Sequence, residues 1–355
     1  MFTDHKSQSA QGAQGAQGAQ GARVHRVRNV RNVRNVRKVR KVRRVRECTT
    51  CQSAPSTQKP ILIALLMHSF ESQLRRHSEF HSEFLDHDRD VLVWLPPGYH
   101  TDVHHEGSAR RFTTEVQDEG SNRRYPVLYM HDGQNLFEAD TAFQKGEHWR
   151  LGETAAALIE AGDVEPLIIV GIYNTGASRK EEYTPTRDAK LGGGRADDYG
   201  RMIVEELKPL IDRTYRTRHE REHTGLGGSS LGGLVSLYLG FRHPSVFGCL
   251  AALSPSVWWN YRSILKTIRQ ARSKPLSRIW VDMGTAESRR GVDDARLLKA
   301  ALVGLGFVDG VDLRYTEYEG AEHTETAWAE RVGPMLKWLY PRAHQARAGS
   351  GFQER

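Results

Sequence analysis

His223-Thr224-Gly225-Leu226-Gly227-Gly228-Ser229-Ser230-Leu231-Gly232-Gly233-Leu234 is the stretch on which the fold turns, because Gly228 to Gly232 fit G-x-S-x-G. After His223 the residues up to Gly227 are small and uncharged, as at the end of a buried strand, while Leu234, Leu237, Tyr238 and Phe241 recur at helical spacing until His243-Pro244 stops the period. A sharp strand-to-helix turn at Ser230 is a nucleophile elbow. It strains the backbone at the serine and crowds the residues two before and two after it, so both must lack bulk. The free N–H groups that open the following helix, Leu231 first, point at the reacting centre and can hold an oxyanion.

A nucleophilic serine needs a base and an acid, and after an elbow they follow in the order Ser, acid, His. The chain has 16 histidines, of which only His323 and His344 lie far enough beyond Ser230; His243 ends the elbow's own helix, and His344 sits in a polar tail without hydrophobic period. His323 is therefore the predicted base, on a loop directly after the alternating run 311–318. The acid belongs at a strand end between the two. Gly284-Thr285-Ala286-Glu287 leaves the strand 277–283, making Glu287 the first choice. Asp282, inside the strand, and Asp293 and Asp294, read as opening the next helix, stay open as alternatives. A second oxyanion donor is expected from backbone N–H groups near Gly133 and Gln134, where His131-Asp132-Gly133-Gln134-Asn135 breaks the apolar strand 125–130. No metal is called for: His131 and Asp132 are adjacent on a strand end and no Cys/His cluster has ligand spacing.

These residues, together with Tyr129 to Phe137, Arg179-Lys180-Glu181-Glu182-Tyr183-Thr184-Pro185, Leu253-Ser254-Pro255-Ser256-Val257-Trp258-Trp259 and Gly320-Ala321-Glu322-His323, carry a resemblance. From about Asp88 to Pro341 the chain resembles the "Putative esterase" family of α/β hydrolases, which includes enterochelin and other siderophore esterases and feruloyl esterases. The resemblance implies an α/β-hydrolase fold, Ser230 as nucleophile, His323 as base, and Arg179 and Trp258 near the substrate cleft. It departs at the acid: many relatives show Gly-Thr-x-Asp where this chain has Gly284-Thr285-Ala286-Glu287. Trp258 and Trp259 either border an aromatic acyl group or pack against the sheet.

Predicted strands at 91–95, 127–130, 167–172, before Ser230, and at 249–253, 278–283 and 313–318 alternate with amphipathic stretches such as 151–159, 199–215 and 297–305. Such alternation predicts a mostly parallel central sheet flanked by helices in a single α/β domain over 67–341, followed by a polar tail over 342–355. Residues 1–66 differ in kind. Ala-Gln-Gly and Val-Arg-Asn/Lys triplets have a period that builds no apolar face, so a disordered tail or a miscalled start, with Met67 as the true one, is expected. The whole chain carries +8; residues 1–66, with 14 Lys/Arg and 2 Asp/Glu, carry +12, and the remainder is −4. The basic pI belongs to the tail, and the globular part carries no nucleic-acid signal.

Three cysteines exclude a disulfide framework; Cys48 and Cys51 form a lone C-x-x-C, and Cys249 is expected to begin a buried strand. The apolar run 61–67 is too short to span a bilayer and sits in no clear signal peptide, which predicts no membrane partner and a cytoplasmic protein. His77-Ser-Glu-Phe and His81-Ser-Glu-Phe place two histidines four apart, a metal pair if helical, read here as a duplication without a third ligand. The expected activity is a cofactor-free serine carboxylic-ester hydrolase acting on a small-molecule ester. Its rivals are acyl transfer from the same acyl-enzyme and a non-enzymatic carbohydrate-binding module stacking ligands on Trp258, Trp259 and Tyr261. Neither the natural ester nor the oligomeric state follows from the sequence.

Overall fold

Residues 91–94, 127–131, 168–172 and 249–253 are nearly continuous apolar runs, the pattern of strands covered on both faces. The structure, a computed structural model, describes residues 73–99, 123–275 and 277–342. The basic stretch 1–66, the run 61–67 and the tail from 343 onward lie outside the described residues.

Among the described residues eight strands form one sheet: β1 (Leu74–Phe80), β2 (Arg89–Trp94), β3 (Val127–His131), β4 (Ile168–Ile172), β5 (Thr224–Ser229), β6 (Cys249–Leu253), β7 (Arg278–Gly284) and β8 (Leu313–Tyr318). Their spatial order is β1-β2-β4-β3-β5-β6-β7-β8. β2 runs antiparallel to both β1 and β4, and every other pairing is parallel. Helices α1 (Leu151–Glu160), α2 (Arg179–Glu182), α3 (Ala196–Arg201), α4 (Lys208–Thr214), α5 (Leu231–Arg242), α6 (Trp259–Arg269), α7 (Arg289–Gly304) and α8 (Glu325–Leu339) connect or flank them. This is the mostly parallel, helix-flanked sheet that the alternation predicts.

Strand side chains alternate between two cores, as the two-residue period requires. Val91, Val93, Tyr129, Val170, Leu226, Ala252 and Val281 join Tyr199, Leu234, Ile264 and Leu298 of α3, α5, α6 and α7. Leu92, Trp94, Met130, Ile169, Ala251 and Trp280 join Leu151 and Ile159 of α1 and Val332 and Leu336 of α8. Burying each such aliphatic side chain stabilises the fold by about 1.5–3 kcal/mol before entropy is counted, so the two layers together hold the sheet. Cys249 is buried at the start of β6, as expected.

Four readings need correction. β1 reads Leu-Arg-Arg-His-Ser-Glu-Phe and escaped notice because it is an edge strand with alternating exposure and little apolar content. His77 and His81 therefore do not share a helix face: His77 Nε2 meets the Tyr215 hydroxyl at 2.7 Å from within β1, and His81 Nδ1 meets Asp88 Oδ1 at 2.8 Å beyond it. The helix expected over 199–215 is two α-helical pieces, α3 and α4, joined by a π-helical stretch, Met202–Leu207. α7 starts at Arg289, capped by Ser288, whose Oγ accepts from Gly291 N at 3.0 Å, so Asp293 and Asp294 lie inside the helix and not at its opening.

Candidate active site

In a sheet whose strands run parallel, ligand sites collect beyond their carboxyl ends, where successive loops converge. Here Asp132 directly follows β3, Ser230 follows β5 and Ser254 follows β6, β7 ends at Gly284, and His323 lies five residues beyond the end of β8 at Tyr318.

Ser230 occupies the turn between β5 and α5 with φ 56° and ψ −117°, a strained conformation that costs on the order of 1–3 kcal/mol and persists only where neighbours enforce it. They do: Ser230 N donates to Leu253 O at 2.9 Å, while Ser230 O accepts from Ser256 N at 2.9 Å and Leu234 N at 3.1 Å. A Cβ on Gly228 would lie 3.1 Å from the Gly232 backbone and 3.1 Å from His131 Cβ, so the elbow's glycines are required by the close approach of strand, helix and the end of β3.

The expected base and the first-choice acid come together. His323 Nδ1 donates to Glu287 Oε2 at 2.7 Å, and the imidazole stands edge-on to Trp328, 4.8 Å between centroids. The other oxygen, Glu287 Oε1, accepts from Gly284 N at 2.9 Å, from Arg331 Nη2 at 3.5 Å and from the Ser254 hydroxyl. Every neighbour donates. Burial raises the Glu287 carboxyl's pKa and the bonds from His323, Ser254 and Gly284 lower it; the bonds win, and it stays below the usual glutamate range.

The alternative acids are occupied elsewhere. Asp282, fully buried in β7, accepts from Arg331 Nη1 at 2.9 Å, Trp280 Nε1 at 2.8 Å and Ser254 N at 3.2 Å. Burial pushes its carboxyl up to about 6 against the pull of Arg331. Asp294 is bound by Arg262 Nε at 2.6 Å, and exposed Asp293 lies 3.8 Å from Arg296.

Ser230 Oγ and His323 are not hydrogen-bonded to each other among the described contacts. Ser230 Oγ is instead 3.2 Å from Ser256 Oγ, and the His323 side chain is 45% exposed. Nucleophile–base bonds in hydrolases often close only once substrate is bound.

After β3, Asp132 adopts the left-handed region (φ 58°) and starts the turn Gly133–Asn135. A Cβ on Gly133 would lie 2.5 Å from the Gly171 carbonyl carbon in β4, so no other residue brings this turn so near the sheet. Among the described backbone hydrogen bonds none uses the N–H of Gly133, Gln134 or Leu231. Arg179 forks onto Asp132, Nε to Oδ1 and Nη2 to Oδ2, both 2.7 Å, and Asn174 Nδ2 adds 2.7 Å to Oδ1. Arg179 is thus first a clamp on this turn. His131 is buried beneath it, shares a 2.9 Å hydrogen bond with the Tyr199 hydroxyl, and burial pushes its pKa down to about 3, leaving it neutral.

The tryptophans separate. Trp258 is 42% exposed, whereas Trp259 is 1% exposed in the core with Nε1 donating to Thr186 O at 2.9 Å, which removes it from the substrate surface suggested for it. Sequence reasoning assigned nothing to Ser254, Ser256, Glu325 or Arg331. Ser254 and Ser256 flank Pro255 at a strand end, a signal that a search for strand-end polar residues would find. Arg331 lies nearly two helical turns inside α8 and has no local signature.

Strand order, elbow and strand-end site together define an α/β hydrolase. The chain belongs to the family described as "Putative esterase", which matches residues 82–339, and it is an esterase. It is 29% identical over 279 residues to the uncharacterized protein YbbA of Bacillus subtilis, covering 73% of this chain and 95% of YbbA. It is 32% identical over 189 residues to the ferri-bacillibactin esterase BesA of Bacillus subtilis, covering 46% of this chain and 64% of BesA. A siderophore enterobactin esterase of Emericella nidulans is 31% identical over 156 residues, 40% of this chain and half of that protein. Among solved structures, the BES protein from Bacillus cereus shares the fold with a TM-score of 0.56 at 23% identity, over 76% of this chain and 95% of that one. The enterobactin esterase FES from Shigella flexneri does so at 0.55 and 18%, over 75% and 59%.

The all-donor surroundings of Glu287 yield a prediction. Glu287→Gln must turn an amide N–H₂ toward a donor whichever way it flips, so His323 loses its orientation, and kcat should fall by roughly 10²–10⁴-fold. Asp293→Asn and Asp294→Asn should stay within a few-fold of wild type. Steady-state rates of the three variants compare them, and a larger loss at Asp294 than at Glu287 would transfer the role.

Proposed function

We propose that the protein hydrolyses small-molecule carboxylic esters through an acyl-enzyme on Ser230. His323 takes the serine proton, returns it to the leaving alcohol, and then activates water for deacylation. Glu287 holds the imidazole in the tautomer that leaves Nε2 free to accept, and stabilises the imidazolium as it forms. The N–H groups of Leu231 and of the turn at Gly133 and Gln134 receive the charge on the tetrahedral oxygen. The observation that carries this reading is the 2.7 Å bond from His323 Nδ1 to a carboxylate surrounded by donors, at the same end of the sheet as the strained Ser230.

The relatives support a reading of the substrate class. Esterases named for enterobactin, ferri-bacillibactin and triacetylfusarinine C, and an endo-1,4-beta-xylanase/feruloyl esterase, are all similar to this chain. A siderophore-type ester or an aromatic acyl ester is the proposed substrate, with exposed Trp258 as a stacking face for an aromatic ring. The test is a panel of p-nitrophenyl acyl esters, a feruloyl ester and a catecholate trilactone, run beside labelling with a fluorophosphonate probe. Turnover of at least one ester and a label mapped to Ser230 are expected. A label on another residue, or none, sinks the mechanism.

A further inference from the structure

Glu325 stands two residues beyond His323, in the first turn of α8, and has no part in the mechanism above. Its carboxyl group reaches across to a distant part of the chain. Asn135 Nδ2 donates to Oε1 at 3.0 Å, and Trp149 Nε1 donates to Oε2. Asn135 is the last residue of the turn Gly133–Asn135, and its amide is fixed at both ends: Oδ1 accepts from Phe143 N at 2.9 Å, so Nδ2 must face Glu325. The ring closes through the backbone, because Asn135 O accepts from Trp149 N at 2.8 Å. One carboxyl group thus ties the turn after β3 to the segment that carries the base. Thr324 steadies the near side, its hydroxyl accepting from Ala327 N at 3.2 Å.

The charges around Glu325 are those of the site. Burial pushes its carboxyl up to about 7, the bond from Trp149 lowers it, Asp132 raises it again, and Arg179 and His323 lower it. Both groups bonded to it are donors, so the carboxylate satisfies them together, whereas a proton on either oxygen would face a donor.

We propose that Glu325 is a positioning residue for the oxyanion-stabilising turn, holding Gly133–Asn135 against the base segment so that its N–H groups are aimed at charge that exists only in the transition state. The proposal rests on the Ser230 mechanism. It predicts loss of kcat and not of ground-state binding, since small misplacements of preorganised donors are felt mainly where charge develops.

The experiment uses the full chain with Glu325→Ala, Glu325→Gln, Asn135→Ala and the Glu325→Ala/Asn135→Ala pair. It measures kcat and KM on a p-nitrophenyl ester, the fraction of Ser230 labelled by fluorophosphonate, and the affinity of an alkyl boronic acid, whose tetrahedral adduct mimics the oxyanion. Glu325→Ala and Asn135→Ala should each lower kcat per labelled serine by roughly 10–100-fold. KM should move by no more than about two-fold, boronate affinity should fall in parallel with kcat, and the pair should be no worse than the worse single variant. A merely structural role would lower the melting temperature or the labelled fraction and leave kcat per labelled serine and boronate affinity intact, which overturns the proposal. Additive losses in the pair overturn it too. If Glu325→Ala does not fold, Glu325→Gln decides: it keeps the length but turns one donor toward another, so a several-fold loss in both readouts supports the proposal and wild-type values sink it. A wild-type protein that does not label at Ser230 sinks the mechanism and this proposal together, whereas labelled variants with wild-type kinetics sink the proposal alone.

Discussion

Ser230→Ala is expected to lower kcat by roughly 10⁶-fold while the protein stays folded, because in the proposed mechanism the hydroxyl supplies the covalent step and little else. The backbone strain is unaffected, since alanine carries the same Cβ and the bonds to Leu253 O, Ser256 N and Leu234 N are all main-chain. Only the 3.2 Å contact to Ser256 Oγ is lost. One such hydrogen bond is worth about 0.5–1.5 kcal/mol, which in a domain of this size moves Tm by at most about 4 °C. His323→Ala should fall to the same residual rate, and the double variant should fall no further, because nucleophile and base act as one unit. Single-turnover rates and thermal melts of the three variants check this. A His323→Ala enzyme retaining a hundredth of wild-type activity would show that another group, or water alone, takes the serine proton. Full activity in Ser230→Ala with loss in Ser229→Ala would move the nucleophile by one residue.

What was legible from the sequence divides along physical lines. β3, β4 and β6 are buried on both faces and read as unbroken apolar runs, so their existence and parallel setting could be read without coordinates. β1 could not, because an edge strand carries Arg75, Arg76 and Glu79 as readily as a loop does. The elbow at Ser230 was legible because such a turn forces glycine at fixed offsets, and the placing of His323 on a loop beyond β8 because that loop follows the alternating run 311–318. The choice among Glu287, Asp282, Asp293 and Asp294 stayed open because spacing along a strand and loop does not say which carboxylate meets the imidazole. Three-dimensional accounting separates them: Glu287 bonds His323 Nδ1 at 2.7 Å, whereas the described hydrogen bonds and ion pairs of the other three run to arginines and other groups. Trp259 misled for a related reason, since adjacent tryptophans at a strand end look alike in sequence while one points inward and one outward. Glu325 and Arg331 were invisible. They act through partners up to 190 residues away, and no local pattern encodes such a distance.

Arg331→Met should destabilise the protein by about 3–5 kcal/mol, the cost of leaving a buried carboxylate without its partner. Arg331 is 1% exposed, and its guanidinium donates to Asp282 Oδ1 and Ser254 Oγ, both at 2.9 Å, and to Glu322 O at 3.4 Å, with Glu287 Oε1 at 3.5 Å. It therefore sits behind Glu287, the proposed acid, joining β7, the end of β6 and the loop that carries His323. The deficit should depend on pH. Asp282 has a folded-state pKa raised to about 6, so the native state takes up its proton before the unfolded chain does, and this group's contribution to stability falls as pH rises from the unfolded value, near 4, through about 6. Removing Arg331 removes the main force lowering that pKa, so Asp282 in the variant stays protonated to higher pH, and the penalty of a bare buried carboxylate appears in full only above it. Chemical denaturation of wild type and Arg331→Met at pH 5 and pH 8 should accordingly show a smaller deficit at pH 5, where Asp282 is more protonated than at pH 8. Adding Asp282→Asn to Arg331→Met should recover more than half of the loss at pH 8, since the carboxylate that Arg331 neutralises most closely is then gone. An equal deficit at both pH values, with no recovery in the double variant, would mean that Arg331 stabilises by packing and by its bonds to Ser254 and Glu322, and not by neutralising Asp282.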